Sequence, residues 1–340
     1  MSMEIIQSAA TELLVNVALA VLALAGAYAV YYIRLGTSKL KAQTAQIEDA
    51  STRKVLDDAL EDVANLATLS VGAMEQTTAK ALREAVEHSL AETKLYSVGE
   101  ELHYDKSRYA EPMAVSVSTR RTFEAARELH EKLPNAKIAV LNFASATNPG
   151  GGVARGSRAQ EESLCRCSTL YPVLADPKYW GAFYGFHRKR HDARYTDLCL
   201  YTPGVKVIKS DTALPERLDE KDWLSVDIIT CAAPNLRERP SNEMNPQAGE
   251  ALHLSDEELL ALHKKRGRRI LAAAAANEAD ILVLGAFGCG AFRNPPEIVA
   301  KAYRELLPEF DGCFERVEFA VYCTPQARGN YEAFARAMQA

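Results

Sequence analysis

Hydrophobic and polar residues follow three different patterns along the chain, and each pattern predicts a different structure. Leu13–Ile33 is a run of 21 residues without a charge, which is the length a helix needs to cross a membrane. Residues 38–95 contain no proline and place apolar side chains at steps of three and four, as in an amphipathic helix or helix pair. After Ser97-Val98-Gly99, strands alternate with helices. The sequence therefore predicts three parts: a transmembrane anchor at 1–36, a helical stalk at 37–95 and an α/β domain at 96–340.

The elements of the α/β domain are predicted from the same periodicities. Helices are expected at Thr122–Leu133, Gln160–Leu170, Ser255–Asn277, Pro295–Leu307 and Tyr331–Met338. Strands are expected at Lys137–Phe143, Leu198–Tyr201, Val205–Ile208, Val226–Cys231, Ile281–Ala286 and Val317–Cys323. Strands that alternate with helices predict a three-layer α-β-α fold around a mixed sheet.

The flanks of the apolar run predict its orientation. No lysine or arginine precedes it, whereas Arg34, Lys39 and Lys41 follow it. The positive-inside bias then places the C-terminal bulk in the cytoplasm. A signal peptide is the alternative, because Ala23-Leu24-Ala25 could serve as a cleavage site, but the basic start that such peptides have is missing.

The sequence is compatible with more than one role for the predicted stalk. Its segment VLDDALEDVANLA (Val55–Ala67) resembles phage holins of the LL-H type. The alternatives are a solvated stalk, which could form a homo-oligomer through its apolar stripe, and a pore-forming segment. A single span joined to a large cytoplasmic domain favours the stalk.

Composition narrows the classes of function. The chain has 340 residues, of which 48% are hydrophobic and 25% charged, and a net charge of −5. These values are ordinary for a protein with a real core, and the acidic balance argues against generic nucleic-acid binding. The seven cysteines lack the spacing of a disulfide framework or zinc ribbon and are predicted to be reduced, mostly buried thiols.

Two glycine-rich segments follow predicted strands. The first, ASATNPGGG at residues 144–152, comes after KIAVLNF and is followed, seven residues later, by Gln160-Glu161-Glu162. The second, LGAFGCGAFRNP, begins at Leu284 and leads into a helix. Glycine loops at the carboxyl ends of strands commonly hold phosphates, so the two loops could bind the two ends of one diphosphate ligand. The dinucleotide pattern GxGxxG does not occur here.

The first segment, together with VDIITCAAPN at 226–235 and LGAFGCGAFRNPP at 284–296, resembles bacterial-type poly(ADP-ribose) glycohydrolases. These are macrodomain enzymes that cut ADP-ribose glycosidic bonds. The resemblance covers about residues 96–340. The transmembrane segment departs from the usual soluble form, which leaves localisation and physiological substrate open.

The resemblance implies a set of site residues. Glu162 would be the catalytic acid and then the base that activates water, Glu161 would hold the ribose hydroxyls, and Gln160 would support that geometry. The remaining substrate-binding residues that it implies are Asn148, Gly150, Gly151, Gly152, Gly288, Gly290 and Phe292. Glycoside cleavage needs a proton donor on the leaving oxygen, and a glutamate can serve if burial or a like charge raises its pKa.

No cofactor and no metal are implied. His187 and His191 have the i,i+4 spacing of metal ligands but lack an evident third ligand. Within HisArgLysArgHis they are predicted to form a solvated basic face.

Three functions are therefore compared. The first is an ADP-ribosyl hydrolase tethered to the cytoplasmic face of a membrane, with ADP-ribose polymer or ADP-ribosylated protein as its substrate. The second is a non-catalytic ADP-ribose reader, although a reader would not need both glutamates. The third is a membrane-lesion or oligomeric scaffold in which the holin-like helix dominates.

Overall fold

A seven-stranded mixed sheet forms the centre of the α/β domain. The computed structural model describes residues 76–242 and 245–339. The predicted anchor and most of the predicted stalk lie outside these residues. No helix within the described ranges has the length and apolar character that a membrane span requires.

The strands follow the order β1-β4-β5-β3-β6-β7-β2 across the sheet. Five of them, from β5 to β2, pair in parallel, whereas β4 is antiparallel to both β5 and β1. The strands are β1 (Lys94–Tyr96), β2 (Ala114–Ser118), β3 (Ile138–Phe143), β4 (Cys199–Val207), β5 (Leu224–Cys231), β6 (Ile281–Leu284) and β7 (Arg316–Ala320).

Helices cover both faces of this sheet. They are α1 (Gln76–Glu92), α2 (Thr122–Lys132), α3 (Gln160–Cys167), α4 (Leu170–Leu174), α5 (Pro177–Tyr179), α6 (Phe186–Arg190), α7 (Asp256–Ala276), α8 (Pro296–Leu306) and α9 (Gly329–Gln339). A π-helical segment, Trp180–Gly185, joins α5 to α6, and short 3-10 turns occupy Val153–Arg155, Glu220–Asp222 and Leu307–Phe310.

The central strand β3 shows why three layers form. Its side chains alternate between two separate cores, with Leu141 packed on one side of the sheet and Val140 on the other. The first core includes Ile270 of α7, and the second includes Leu164 of α3. A strand that is apolar on both faces is stable only when helices cover both, so the sequence run IAVLNF dictates the layered arrangement. The prediction of a mixed-sheet α/β fold is confirmed.

The longest helix begins as predicted. Ser255 Oγ accepts a hydrogen bond from Glu258 N at 3.2 Å, and Glu258 Oε2 accepts one from Ser255 N at 2.8 Å. This reciprocal capping box satisfies two backbone donors that have no partner within the helix.

One strand replaces two that the sequence predicts. The segments expected at 198–201 and 205–208 belong to the single strand β4, whose register shifts between Thr202 and Val205. Pro203 has no N–H to donate to the neighbouring strand, and Gly204 adopts a φ of +70°. The strand therefore continues through a β-bulge at these two residues and does not end there. The freed backbone groups find other partners, since Ser89 Oγ donates to the Pro203 carbonyl at 2.8 Å.

The N-terminal side of the domain holds two strands that the sequence did not predict. Strand β1 pairs with β4, and Ser97-Val98-Gly99 lies where β1 ends and a turn begins. Helix α1 confirms the helical pattern for the part of 38–95 that is described. The compact unit that contains the sheet begins at Ala85, before the boundary expected at residue 96.

Candidate active site

A cavity of about 730 Å³ opens at the carboxyl edge of the parallel strands. This volume is typical of pockets for small ligands. The walls come from the segments that follow β3, β5, β6 and β7, together with the first turn of α3. Ligands of open α/β sheets bind at this edge, so the cavity lies where the two glycine-rich segments were predicted to converge.

The glycine triplet turns directly over the start of α3. Gly151 has a φ of +57°, a conformation that side chains other than glycine rarely adopt. A methyl group in its place would overlap Oε1 of Glu162 and would come within 3.1 Å of Oε2 of Glu161. At Gly152 it would overlap Oγ of Ser157. The loop therefore needs glycine because its backbone approaches two carboxylates.

Gln160 fixes α3 against the end of β3. Its Oε1 accepts a hydrogen bond from Phe143 N at 2.9 Å, and its Nε2 donates to the Leu141 carbonyl at 2.7 Å. The side chain therefore continues the hydrogen bonding of the strand and positions the two glutamates that follow it.

Glu161 is buried and almost fully hydrogen-bonded. Its Oε2 accepts from Ser145 N at 2.6 Å, and its Oε1 lies 3.4 Å from Nδ2 of Asn142. Burial raises the pKa of Glu161 well above its ordinary value, the Ser145 N–H lowers it in part, and the charge of Glu162 raises it again. Glu161 is therefore a carboxyl group that tends to keep its proton.

One carboxylate oxygen of Glu162 accepts a hydrogen bond, whereas the other has no partner in the described part of the chain. Oε1 accepts a hydrogen bond from Gly152 N at 2.8 Å. Oε2 is also buried, yet it accepts no hydrogen bond from the described part of the chain. The side chain of Glu162 lines the cavity, so a carboxyl oxygen without a protein partner lies next to the space that a ligand would occupy.

Asn148 is held by an arginine that the sequence analysis did not single out. Arg188 donates from Nη2 to Asn148 Oδ1 at 2.5 Å and from Nε to the Thr147 carbonyl at 2.7 Å. Its guanidinium lies over the Trp180 ring, 5.5 Å from the centroid. Arg188 thus fixes the orientation of the Asn148 amide at the cavity wall.

The second glycine segment is supported by neutral groups. Gly288 has a φ of +79°, and a methyl group there would come within 2.6 Å of both Ala233 and Asn294. Asn294 donates to the Gly288 carbonyl at 3.0 Å and to the Pro234 carbonyl at 2.8 Å. Its Oδ1 is then left to accept from Nε2 of His263 at 2.8 Å. Gly288, Gly290 and Phe292 all line the cavity.

Gly150 does not line the cavity. Its α-carbon faces Tyr171 and Cys165, and its N–H hydrogen-bonds to Glu161. Because the turn directs this N–H inward, the structure brings Gly151 and Gly152, but not Gly150, to the cavity wall.

The mouth of the cavity carries polar and aromatic side chains that the sequence analysis missed. Tyr322 is half exposed, and the Arg121 guanidinium lies 4.1 Å from the centroid of its ring. Asn235 and Arg237, which follow β5, line another part of the wall. These residues lie outside the glycine-rich motifs, so only their position after parallel strands could have indicated them.

The histidine pair corrects one prediction. His187 is buried rather than solvated, with Nδ1 3.0 Å from the Phe183 carbonyl and Nε2 2.9 Å from Thr196 Oγ1. Burial lowers its pKa to about 4. His191 lies at the end of α6 with a φ of +48° and contacts the Gln247 carbonyl. The helix ends between the two rings, so they do not share one face, and no candidate metal cluster occurs in the described ranges.

The cysteines are free thiols, five of them buried and two partly exposed, as predicted. Burial raises the pKa of Cys165, which lies directly behind the glutamate pair, well above its ordinary value. A thiol held in its neutral form is a poor nucleophile, and none of the residues found to line the cavity is a cysteine.

Cleavage of a glycosidic bond uses a pair of carboxyl groups, and the structure places Glu161 and Glu162 together at the cavity. The raised pKa belongs to Glu161 and not to the predicted acid, Glu162. The fold and the site therefore define the class as a glycosidase built on a macrodomain-like α/β sheet.

Comparisons with known proteins identify the family. Residues 63–210 match the family model "Microbial-type PARG, catalytic domain", in which PARG stands for poly(ADP-ribose) glycohydrolase. The crystal structure of the Thermomonospora curvata enzyme with the inhibitor ADP-HPD is 33% identical, with a TM-score of 0.61, and the match covers 74% of this chain and 88% of that one. The Deinococcus radiodurans enzyme in complex with ADP-ribose is 37% identical, with a TM-score of 0.60, and the match covers 75% and 97%. No curated protein sequence matches the chain. The chain belongs to the microbial-type poly(ADP-ribose) glycohydrolase family.

Proposed function

We propose that this enzyme hydrolyses the ribose-ribose glycosidic bonds between ADP-ribose units and releases ADP-ribose from poly(ADP-ribose) or from ADP-ribosylated targets. The observation that carries the proposal is the glutamate pair at the glycine triplet, in which Glu162 lines the cavity and its buried Oε2 accepts no hydrogen bond from the described part of the chain. The solved relatives, one of which binds ADP-ribose, support the same substrate class.

Glu162 is the general acid and base in this proposal. Its carboxyl donates a proton to the leaving ribose oxygen as the bond from that oxygen to the anomeric carbon breaks through an oxocarbenium-like transition state. The resulting carboxylate then takes a proton from a water molecule, whose oxygen bonds to the anomeric carbon. Glu162 therefore ends the cycle protonated, as it began.

Glu161 holds the hydroxyl groups of the cleaved ribose. Its raised pKa keeps it protonated at higher pH than an exposed glutamate. A neutral carboxyl can both donate and accept a hydrogen bond, which suits a sugar hydroxyl. It also leaves the developing positive charge on the ribose to be balanced by Glu162 alone.

The glycine segments bind the rest of the terminal unit. Gly151 and Gly152 present backbone to the diphosphate and distal ribose, and the Asn148 amide, oriented by Arg188, lies beside them. Gly288 and Gly290 form the second phosphate loop, and Phe292 packs near the ribose. The exposed ring of Tyr322 offers a stacking surface at the mouth.

The test is release of free ADP-ribose from poly(ADP-ribose) by the full-length chain, beside Glu162→Ala. Release by the wild type alone, with ADP-ribose bound equally by both proteins, is the expected result. Binding without release by either protein would instead identify a non-catalytic reader.

A membrane tether is the second part of the proposal, and it is motivated by the uncharged run Leu13–Ile33. In this arrangement, residues 1–36 anchor the chain, a stalk that begins at residue 37 and ends before Ala85 can form homo-oligomers, and the α/β domain acts in the cytoplasm. Co-flotation of the full-length chain with lipid vesicles, lost on deletion of residues 1–36, is expected. Dye leakage from those vesicles that persists in Glu162→Ala would favour the pore-forming alternative.

A further inference from the structure

A buried tyrosine joins the end of α1 to the segment that leads to the cavity. The Tyr179 hydroxyl oxygen lies 3.0 Å from the Leu90 carbonyl oxygen and 3.1 Å from that of Thr93, and it accepts a hydrogen bond from Nζ of Lys178 at 3.1 Å. The last carbonyls of a helix have no partner within the helix, so Tyr179 supplies a donor that α1 lacks. The Tyr179 side chain is only 1% exposed. Tyr179 therefore ties the end of α1 to the start of the π-helical segment.

The next residue, Trp180, lies at the surface and supports Arg188. Its side chain is 42% exposed, and the Arg188 guanidinium lies over its ring, 5.5 Å from the centroid. A guanidinium over an indole face is attracted to the electrons of the ring. A methyl group at Gly185 would come within 3.5 Å of the same ring and 3.3 Å of the Trp180 carbonyl oxygen. The absence of a side chain at Gly185 therefore leaves room for the ring.

The π-helical segment sets the direction in which Arg188 projects. A π-helical turn closes between residues i and i+5, one residue more than an α-helical turn, and each residue of a helix turns the chain by about 100°. Arg188 donates from Nη2 to Oδ1 of Asn148 at 2.5 Å, and Asn148 lines the cavity. Contacts thus run without a gap from the end of α1, through Tyr179 and Trp180, to the Asn148 amide.

The far end of this segment has an anchor of its own. The buried ring of His187 places Nδ1 3.0 Å from the Phe183 carbonyl oxygen and Nε2 2.9 Å from Thr196 Oγ1. These contacts hold the backbone of α6 independently of α1. Loss of the Tyr179 hydroxyl is therefore expected to displace the Trp180 ring, without unfolding the segment.

We propose that Tyr179 is a positioning residue for substrate binding, because it fixes the Trp180 ring that supports Arg188 and, through Arg188, the Asn148 amide. The inference rests on the proposed function, in which Asn148 lies beside the bound diphosphate and ribose. Without the Tyr179 hydroxyl, the amide stays at the cavity wall but loses its fixed orientation. Affinity for ADP-ribose then falls, whereas proton transfer by Glu162, which belongs to α3, does not change.

The experiment compares full-length wild type with Tyr179→Phe and with a matched control, Tyr303→Phe. Tyr303 is also buried, does not line the cavity, and its hydroxyl has no hydrogen-bond partner in the described part of the chain. The control therefore removes a buried hydroxyl that supports nothing at the site. ADP-ribose binding is measured by calorimetry, kcat and KM are measured on poly(ADP-ribose), and thermal unfolding confirms that each protein is folded.

Tyr179→Phe should weaken ADP-ribose binding and raise KM about fivefold, the effect of one lost hydrogen bond, with kcat unchanged. Tyr303→Phe should match the wild type. Adding Tyr179→Phe to Arg188→Ala should cause no further loss, because the effect passes through Arg188. Gly185→Ala, which crowds the Trp180 ring but favours a helix, should weaken binding in the same way as Tyr179→Phe.

The fluorescence of Trp180 provides a measurement that needs no ligand. The chain has two tryptophans, so Trp180 is observed alone in a Trp223→Phe background. Quenching by acrylamide should increase on Tyr179→Phe and stay the same on Tyr303→Phe, since only the first change releases the ring.

Unchanged ADP-ribose binding in folded Tyr179→Phe would overturn the inference, as would losses that multiply when Arg188→Ala is added. A fall in kcat as large as the rise in KM would indicate a general effect on the fold and would also overturn it. Failure of the wild type to release ADP-ribose from polymer, with the binding differences intact, would refute the proposed function alone. Failure of the wild type to bind ADP-ribose would refute both.

Discussion

The loop after β3 and the loop after β6 both bring glycines to the same edge of the sheet, yet different chemistry supports them. Gly151 turns against the carboxyl groups of Glu161 and Glu162. Gly288 turns against the neutral side chain of Asn294, which accepts a hydrogen bond from His263 and donates to the carbonyls of Pro234 and Gly288. One loop thus covers groups that can exchange protons, and the other is a neutral support.

The difference assigns separate tasks to the two loops. A buried carboxyl without a full set of partners is costly for stability, so such a group is expected where it is needed for catalysis. A buried amide with all its partners rigidifies the backbone around it without adding reactive chemistry. The first loop is therefore the reactive half of the cavity, and the second is the half that holds the ligand.

The two loops should also respond to pH in opposite directions. Glu161 has a raised pKa in the folded protein, so its contribution opposes folding increasingly as pH rises above the ordinary glutamate value. His263 has a pKa lowered to about 4 by burial, so its contribution opposes folding as pH falls below 6.5.

Glycine-to-alanine substitutions should produce the largest difference in kinetics between the two loops. Gly151→Ala should lower turnover about 100-fold, because the added methyl overlaps the Glu162 carboxyl and a small displacement of a catalytic group has effects of that size. Gly290→Ala should leave kcat within about twofold and should raise KM instead, since no protein atom lies within 4 Å of the added methyl and Gly290 belongs to the loop that holds the ligand. Steady-state kinetics on both variants, with thermal unfolding to confirm that each is folded, provides the check. Similar losses in both would remove the distinction between the loops.

Acid should weaken the second loop through His263. Below pH 6.5 the unfolded chain binds a proton that the buried ring does not, so this histidine alone should cost on the order of 3 kcal/mol of unfolding free energy by pH 4. Urea titrations at pH 7, 5.5 and 4.5 measure the effect. His263→Gln, which can still donate to Asn294, should show a flatter pH dependence than the wild type. An identical pH dependence in the two proteins would contradict the assignment.

Arg188 should matter for ligand binding more than for chemistry. Arg188→Ala releases the Asn148 amide and the Thr147 carbonyl, and it should weaken ADP-ribose binding about tenfold while kcat changes less. Calorimetry with ADP-ribose and the split between KM and kcat test this. Added guanidinium at millimolar concentration should restore part of the affinity. The neighbouring exposed residue provides the control, since Lys189→Ala should bind as the wild type does.

The sequence predicted most of the central elements because their patterns are local. Strand β3 reads as a continuous apolar run, and α7 carries its own capping signal at Ser255. Strand β2 was missed because it is short and lies at the edge of the sheet, where it pairs only with β7. The two segments of β4 were separated because Pro203 and Gly204 usually end a strand, whereas here they form a bulge.

The site was predicted where residues lie close together in sequence, and it was missed where the fold brings distant residues together. The glutamates and glycines belong to motifs, and Asn142 could have been suspected as the one polar residue in the buried run IAVLNF. Arg188 reaches Asn148 only through α6, and Tyr322 reaches the cavity only through the end of β7. The burial of His187 depends on Thr196, which lies beyond the end of its helix.

The most direct test of the account is a matched pair of variants, Glu161→Gln and Glu162→Gln, each assayed for single-turnover release of ADP-ribose and for ADP-ribose binding by calorimetry. Glu162→Gln should lower release by about 1,000-fold, the scale of a lost general acid, with the binding constant within about twofold. Glu161→Gln should weaken binding as well as release. Near-normal release by Glu162→Gln would contradict the central claim that this carboxyl supplies the proton.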